Sequence, residues 1–268
     1  MPSDVATIVS TACLAHDIGN PPFGHSGEDA IETALKRHGL ELPFEGNAQG
    51  FRILTRTGDP MEGSGLKLTA VVLGSFMKYP CTQSYSAAVK KGSIVAANKL
   101  ECKKFGIGEQ EREAASFMAG HLGLIPRSTP DAAHLCWSRH PLAYLMEAAD
   151  DICYRIADIE DGYFSGLLDF APTRDLFSPF LTEPQLRYVR ELEEKKEKDS
   201  CIHYMRAIAI GKSIQSAVDS FVNHEEDLLQ GRMEQSLIDS SELSAPLNGL
   251  YQYAIKNVYR AREVIEVE

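Results

Sequence analysis

The residues best equipped for chemistry fall in one short run. His16 and Asp17 are adjacent, and His25 and Glu28 follow within the next dozen positions. Between them lie Gly19, Asn20, Pro21, Pro22, Phe23 and Gly24, a loop stiffened by two prolines and opened by glycines. Neighbouring His and Asp side chains turn toward one point only where the backbone leaves helical geometry, and this Gly/Pro run predicts such a break after residue 16. An imidazole nitrogen beside a carboxylate oxygen is a mixed, fairly hard donor pair. It suits Mn²⁺, Mg²⁺, Fe²⁺ or Ni²⁺ at least as well as Zn²⁺. A divalent ion polarises a phosphoryl oxygen and acidifies bound water, and a nearby histidine exchanges protons around neutral pH.

A second signal lies in residues 140–168. Leu142, Leu145, Met146, Ala149, Ile152, Cys153, Ile156 and Ile159 recur at spacings of three and four, one face of a long helix. Asp150 follows Ala149 and borders that face, where a charge is costly unless paired or metal-bound. Asp151 points about 100° further round. Tyr154 and Asp158 lie one and two turns beyond Asp150 and share its side of the helix.

Together these runs resemble the HD phosphohydrolase superfamily, in which an H-D pair is joined by a distant helical Asp. HDIGNPPFGHSGE (16–28), EGNAQGFRIL (45–54), FMKYP (76–80), KKFG (103–106) and RHPLAYLMEAADDICYRIADIEDG (139–162) are collinear with the deoxyguanosinetriphosphate triphosphohydrolase family. Weaker similarity continues through Arg206 to Tyr259 and Arg260. The resemblance implies hydrolysis of a deoxynucleoside triphosphate, dGTP by preference, to the deoxynucleoside and inorganic triphosphate. It assigns His16, Asp17 and Asp150 to a divalent metal, Mn²⁺ or Mg²⁺, and His25 and Glu28 to catalysis. It assigns Asn47, Lys78, Tyr79 and Lys104 to the phosphates. It places Tyr154 against the deoxyribose and Asp158 on its 3′-hydroxyl. Asn47 is also placed to cap a helix, and Lys78 to complement a helix end. Family members usually form homo-oligomers. Their pattern also asks for a histidine upstream of the H-D pair, and none occurs among the first fifteen residues. The expectation is an internal fragment, truncated at both ends and impaired in metal binding. A silent nucleotide-binding or assembly module, or an HD hydrolase of another nucleotide ester, is the alternative.

The elements that position these residues all read as helices. Apolar periodicity predicts helices over 4–16, 26–38 with Ser26 as its N-cap, 47–56, 66–77, 140–168, 183–198, 202–229 and 249–268. Residues 79–95, rich in Ser, Lys and Gly, read as an exposed loop. No stretch alternates long enough to demand a strand. The expected fold is all-α, an HD-domain bundle over 1–170 with an incomplete helical extension over 171–268.

With 268 residues, 44% of them hydrophobic, the chain has the composition of an ordinary globular protein. The 27 basic and 38 acidic residues give a net charge of −11, which argues against a surface that coats nucleic acid. Local contact with nucleic acid stays open. A phosphate site must therefore be built from a few local cations. No apolar run reaches membrane-spanning length, and no basic leader opens the chain. The six cysteines make no C-x-x-C pair and read as buried free thiols in a reducing cytoplasm.

Overall fold

The structure, a computed structural model, describes residues 2–56, 65–128 and 133–260. It is all-α. Twelve α-helices are found among the described residues: α1 (Pro2–Ala15), α2 (Gly24–Arg37), α3 (Gly46–Arg56), α4 (Ala70–Phe76), α5 (Gln83–Lys90), α6 (Arg112–Leu122), α7 (Pro141–Phe164), α8 (Phe170–Phe177), α9 (Glu183–Glu194), α10 (Lys198–Asn223), α11 (Glu225–Leu229) and α12 (Ser244–Ala254). A π turn over Ile255–Tyr259 follows the last. Among the described residues, β pairing is limited to isolated bridges such as Cys81 with Cys136. Among the described residues no helix is long and apolar enough to cross a membrane.

The chain divides into two compact units that interleave along the sequence: Met1–Glu147 with His224–Gln235, and Ala148–Asn223 with Ser236–Glu268. In the first unit α1 packs on α4 and α4 on α6. Phe51, Leu54, Phe76, Met77, Met118 and Trp137 build its core. The segment 224–235 is drawn into it by polar anchors. Asn98 Nδ2 and the Tyr144 hydroxyl both donate to the Met233 carbonyl, at 2.8 and 2.9 Å. Arg127 grips buried Glu101 with two N–H bonds of 2.9 and 2.8 Å and also donates to the Gly231 carbonyl. In the second unit α10 packs against α8 and α9, and α12 against α8. Cys201, Met205, Ala209, Ser213 and Ala217 repeat every four residues along the buried side of α10, one face of the helix.

Several boundaries depart from the sequence expectation. Ser26 is not the N-cap of α2, which already starts at Gly24. The chain turns in through Phe23 and Gly24 at φ 67° and 53°, and Gly24 N–H bonds the Pro21 carbonyl at 3.2 Å. α4 begins at Ala70 rather than 66, because Lys67 is left-handed (φ 53°) and Thr69 Oγ1 accepts the Val72 N–H. The stretch 79–95 is not an exposed loop. Thr82 caps α5, which buries Tyr85, Ser86 and Ala88. The 202–229 helix starts earlier, at Lys198, and breaks at His224 into α10 and α11. The 249–268 helix starts at Ser244 and gives way to the π turn at Ile255, while 261–268 lie outside the described residues. All six cysteines are free, but Cys153 is exposed and Cys13 only partly buried. Cys153 lies off the buried stripe of α7, which carries Ile152, Ile156 and Ile159 instead.

Candidate active site

The loop after α1 is held shut by contacts that only glycine permits. A Cβ on Gly19 would lie 2.1 Å from the Gly46 carbonyl and 2.2 Å from Gly50 N, so the loop backbone rests directly on α3. A Cβ on Gly46 would strike the Asn20 side chain at 2.2 Å. This close approach places Asn20 against the first turn of α3 and anchors the loop that carries His16 and Asp17.

Within the loop, His16 Nδ1 lies 2.6 Å from the Cys13 carbonyl, which accepts its N–H. That bond leaves Nε2 as the basic nitrogen, 3.2 Å from Asp17 Oδ2. A lone pair and a carboxylate oxygen attract at this distance only with a proton or cation between them. Two adjacent ligands of an octahedral ion, each at about 2.1 Å, are about 3 Å apart, so the pair fits one edge of such a site. Asn20 Nδ2 donates to Asp17 Oδ1 at 2.7 Å and fixes the orientation of the carboxylate, the kind of outer partner metal ligands commonly have. Among the described residues no group of three or more His, Cys, Asp or Glu side chains converges as a metal cage.

His25 and Glu28 meet at the start of α2. His25 Nδ1 is 2.8 Å from Glu28 Oε2, and the other Glu28 oxygen accepts the Gly46 N–H at 2.8 Å. Glu28 is thus clamped between α2 and α3, with its side chain only 14% exposed, while the imidazole is 82% exposed. With Nδ1–H directed to Glu28, Nε2 of His25 faces outward with its lone pair available.

Three of the four residues expected at the phosphates, Asn47, Lys78 and Lys104, sort onto two buried carboxylates that the sequence did not single out, while Tyr79 lies beside Arg139. Glu45 Oε1 accepts from Asn47 N (3.3 Å) and Nδ2 (2.7 Å), and Lys104 Nζ lies 3.7 Å away. Asn47 therefore lies inside α3 with its side chain turned back to Glu45, and does not cap the helix. Glu147 Oε1 faces Lys78 Nζ at 3.5 Å, and its Oε2 accepts from Arg139 Nη1 at 2.7 Å. Arg139 is fully buried, its guanidinium 5.6 Å from the Tyr79 ring centroid and 5.2 Å from that of Tyr144. Burial pushes the Tyr79 phenol up, against the opposing pull of Lys78 and Arg139. A sequence signal for these carboxylates existed: Glu45 opens EGNAQG and Glu147 sits on the apolar helix, where a charge needs a partner.

In the second unit α7 carries Asp150, Tyr154 and Asp158. Asp151 pairs with Arg155 at 2.9 Å, and Arg155 also donates to Asn248 Oδ1 at 2.8 Å. Asp151 is thereby committed to a structural ion pair within its own unit. Tyr154 and Asp158 both contact Tyr259, through its ring and its hydroxyl respectively. Burial raises the Asp158 carboxyl, and the Tyr259 hydroxyl works against that rise.

No protein-family model matches the chain. Curated relatives do. A protein of Synechocystis sp. is 38% identical across 99% of this chain and 61% of its own length. One of Pseudomonas aeruginosa is 37% identical across 89% of the chain and 54% of its own length. One of Shewanella baltica is 30% identical across 98% and 62%. All three are named deoxyguanosinetriphosphate triphosphohydrolase-like proteins. The chain thus spans between 54% and 62% of the length of these relatives. Near-complete coverage of the present chain, with collinear motif blocks on an all-α fold, shows that over the length it spans this chain belongs to the deoxyguanosinetriphosphate triphosphohydrolase-like family.

Proposed function

We propose that this chain hydrolyses a deoxynucleoside triphosphate, dGTP by preference, between the 5′-oxygen and the α-phosphorus, releasing the deoxynucleoside and inorganic triphosphate. The observation that carries the reading is the His25–Glu28–Gly46 relay beside the His16–Asp17 edge. In this reading His16, Asp17 and Asp150 hold a divalent ion, Mn²⁺ or Mg²⁺. When bound, the ion would polarise a phosphoryl oxygen and lower the pKa of coordinated water. Glu28 holds one tautomer of His25 and aims Nε2 outward, where it takes a proton from water or delivers one to the leaving 5′-oxygen. Lys78, Lys104, Asn47 and Tyr79 supply donors for the triphosphate, and Tyr154 with Asp158 takes the sugar.

The test is the product. The chain, supplied with Mn²⁺ and dGTP, is followed by ³¹P NMR. Inorganic triphosphate is expected, with the rate reduced roughly a hundredfold in His25→Ala, the scale of losing a positioned acid–base group. Release of orthophosphate or pyrophosphate, or a rate indifferent to His25, would overturn the reading.

A further inference from the structure

Cys81 and Cys136 face one another across an antiparallel bridge inside the first unit. Thr82 N–H bonds the Leu135 carbonyl at 2.9 Å, and Trp137 N–H bonds the Pro80 carbonyl at 3.0 Å. The backbone groups of the two cysteines turn the other way. Arg127 N–H bonds the Cys136 carbonyl at 2.8 Å, and Gly106 and Ile107 N–H both bond the Cys81 carbonyl at 3.2 Å. The cysteines are therefore a non-hydrogen-bonded pair, the register in which opposed side chains lie closest, with Cα atoms about 4.5 Å apart. A disulfide needs Cα atoms about 4.4 to 6.8 Å apart, so this register suits one. The two thiols already share a hydrogen bond. Cys102, the third thiol of the same buried cluster, has no such register. Its Sγ is turned to the Asn98 and Lys99 carbonyls, at 3.6 and 3.8 Å.

We propose that Cys81 and Cys136 form a modification site, which a hydroperoxide oxidises to a disulfide within the folded chain, leaving Cys102 a thiol. One cysteine sulfur attacks the peroxide and breaks its O–O bond. A sulfenic acid forms, and the released hydroxide takes that cysteine's proton and leaves as water. The other sulfur attacks the sulfenic sulfur. The S–S bond forms, the S–O bond breaks, and hydroxide leaves with the second proton as water. Two thiols and one hydrogen peroxide thus give one disulfide and two waters, and the two electrons lost by sulfur go to the peroxide oxygens. Burial sets both oxidant and rate. Cys81 and Cys136 are 0% and 1% exposed, so hydrogen peroxide, little larger than water, enters through a small opening that a bulky disulfide cannot use. The hydrogen bond with Cys81, together with burial, pushes the Cys136 thiol up, so thiolate is scarce and oxidation slow. The bond formed closes the long segment 82–135 in the denatured chain, which favours the folded state.

The folded full chain is treated with hydrogen peroxide, its remaining thiols are capped with N-ethylmaleimide in denaturant, and the digest is read by mass spectrometry without reduction. Peptides joined through Cys81 and Cys136 are expected, with Cys102 recovered capped. The oxidised chain should melt about 5 °C or more above the reduced one, and Cys136→Ser should lose that rise. Cys153 is exposed, and a Cys153→Ser background removes links between chains. Recovery of Cys81 and Cys136 as capped thiols would overturn the inference. So would a bond from either to Cys102, or a Cys81–Cys136 link formed only when the peroxide acts in urea. A linked pair with no rise in melting temperature would show that the bond strains the fold, and that the register does not suit it.

Discussion

At the scale of single residues, the candidate site is organised by carboxylates whose two oxygens are separately committed. Glu28 gives one oxygen to His25 and the other to the Gly46 amide. Asp17 gives one to Asn20 and turns the other toward His16. Glu147 divides itself between Lys78 and Arg139. Such clamping removes rotational freedom before any ligand arrives, which is how binding geometry lowers a barrier. Glu28→Gln tests this directly. The amide oxygen still accepts the Gly46 N–H, but its NH₂ then faces His25 Nδ1. The imidazole must answer as an acceptor and place its proton on Nε2, the opposite tautomer. Triphosphate release should fall by roughly 10² or more, the range for loss of a general acid–base group, while the melting temperature stays close to that of the parent. Full turnover in this variant would reduce Glu28 to a brace between α2 and α3.

At the scale of elements, the first turn of α7 depends on a neutral imidazole. His140 Nδ1 accepts the Leu142 N–H at 3.2 Å, and burial lowers the pKa of this histidine. An unfolded histidine titrates near 6.5. Below that value the unfolded chain takes up a proton that the folded chain resists, so folding stability declines as pH falls through about 6.5. The decline ends once pH passes the depressed folded value, and above 6.5 this residue contributes no pH dependence. His140→Asn retains an acceptor without the titration, so its urea midpoint should drop less between pH 7.5 and 5.5. Equal slopes would show that His140 does not titrate with folding. The helices were readable where apolar periodicity was long, as in α7 and α10, and hidden where burial ran through small or polar residues. In α5 the core contacts come from Tyr85, Ser86 and Ala88, and Ser and Ala carry almost no hydrophobic signal. The start of α2 was masked by a left-handed Phe23, a conformation that sequence patterns assign to glycine or asparagine. The H-D loop could be read because its Gly and Pro residues are demanded by close backbone contact. The carboxylates beneath Lys78 and Lys104 carried only a partial signal: the motif block and the apolar helix point to Glu45 and Glu147, but the cation that pairs with each is set by the fold.

At the scale of the whole molecule, the proposed substrate is a polyanion, while the chain carries a net charge of −11. The local cations do not create a large positive field, because Lys104 rests near Glu45 and Lys78 near Glu147 in buried or half-buried pairs. Long-range steering toward the site is therefore weak or repulsive, and affinity must come from short contacts made after encounter. This has a measurable consequence. Salt screens interactions beyond about 10 Å at 0.1 M, so raising ionic strength relieves the repulsion between the acidic chain and an approaching triphosphate. The association rate constant for inorganic triphosphate should stay level or rise between about 0.02 and 0.2 M salt, whereas a site with a positive approach field slows steeply over the same range. Dissociation should quicken, because contacts between lysine and phosphate weaken as counterions compete. Stopped-flow displacement of a fluorescent triphosphate separates the two rates. A steep fall in the association rate would mean that the lysines act as an unneutralised funnel, and that Glu45 and Glu147 do not hold them when the site is empty.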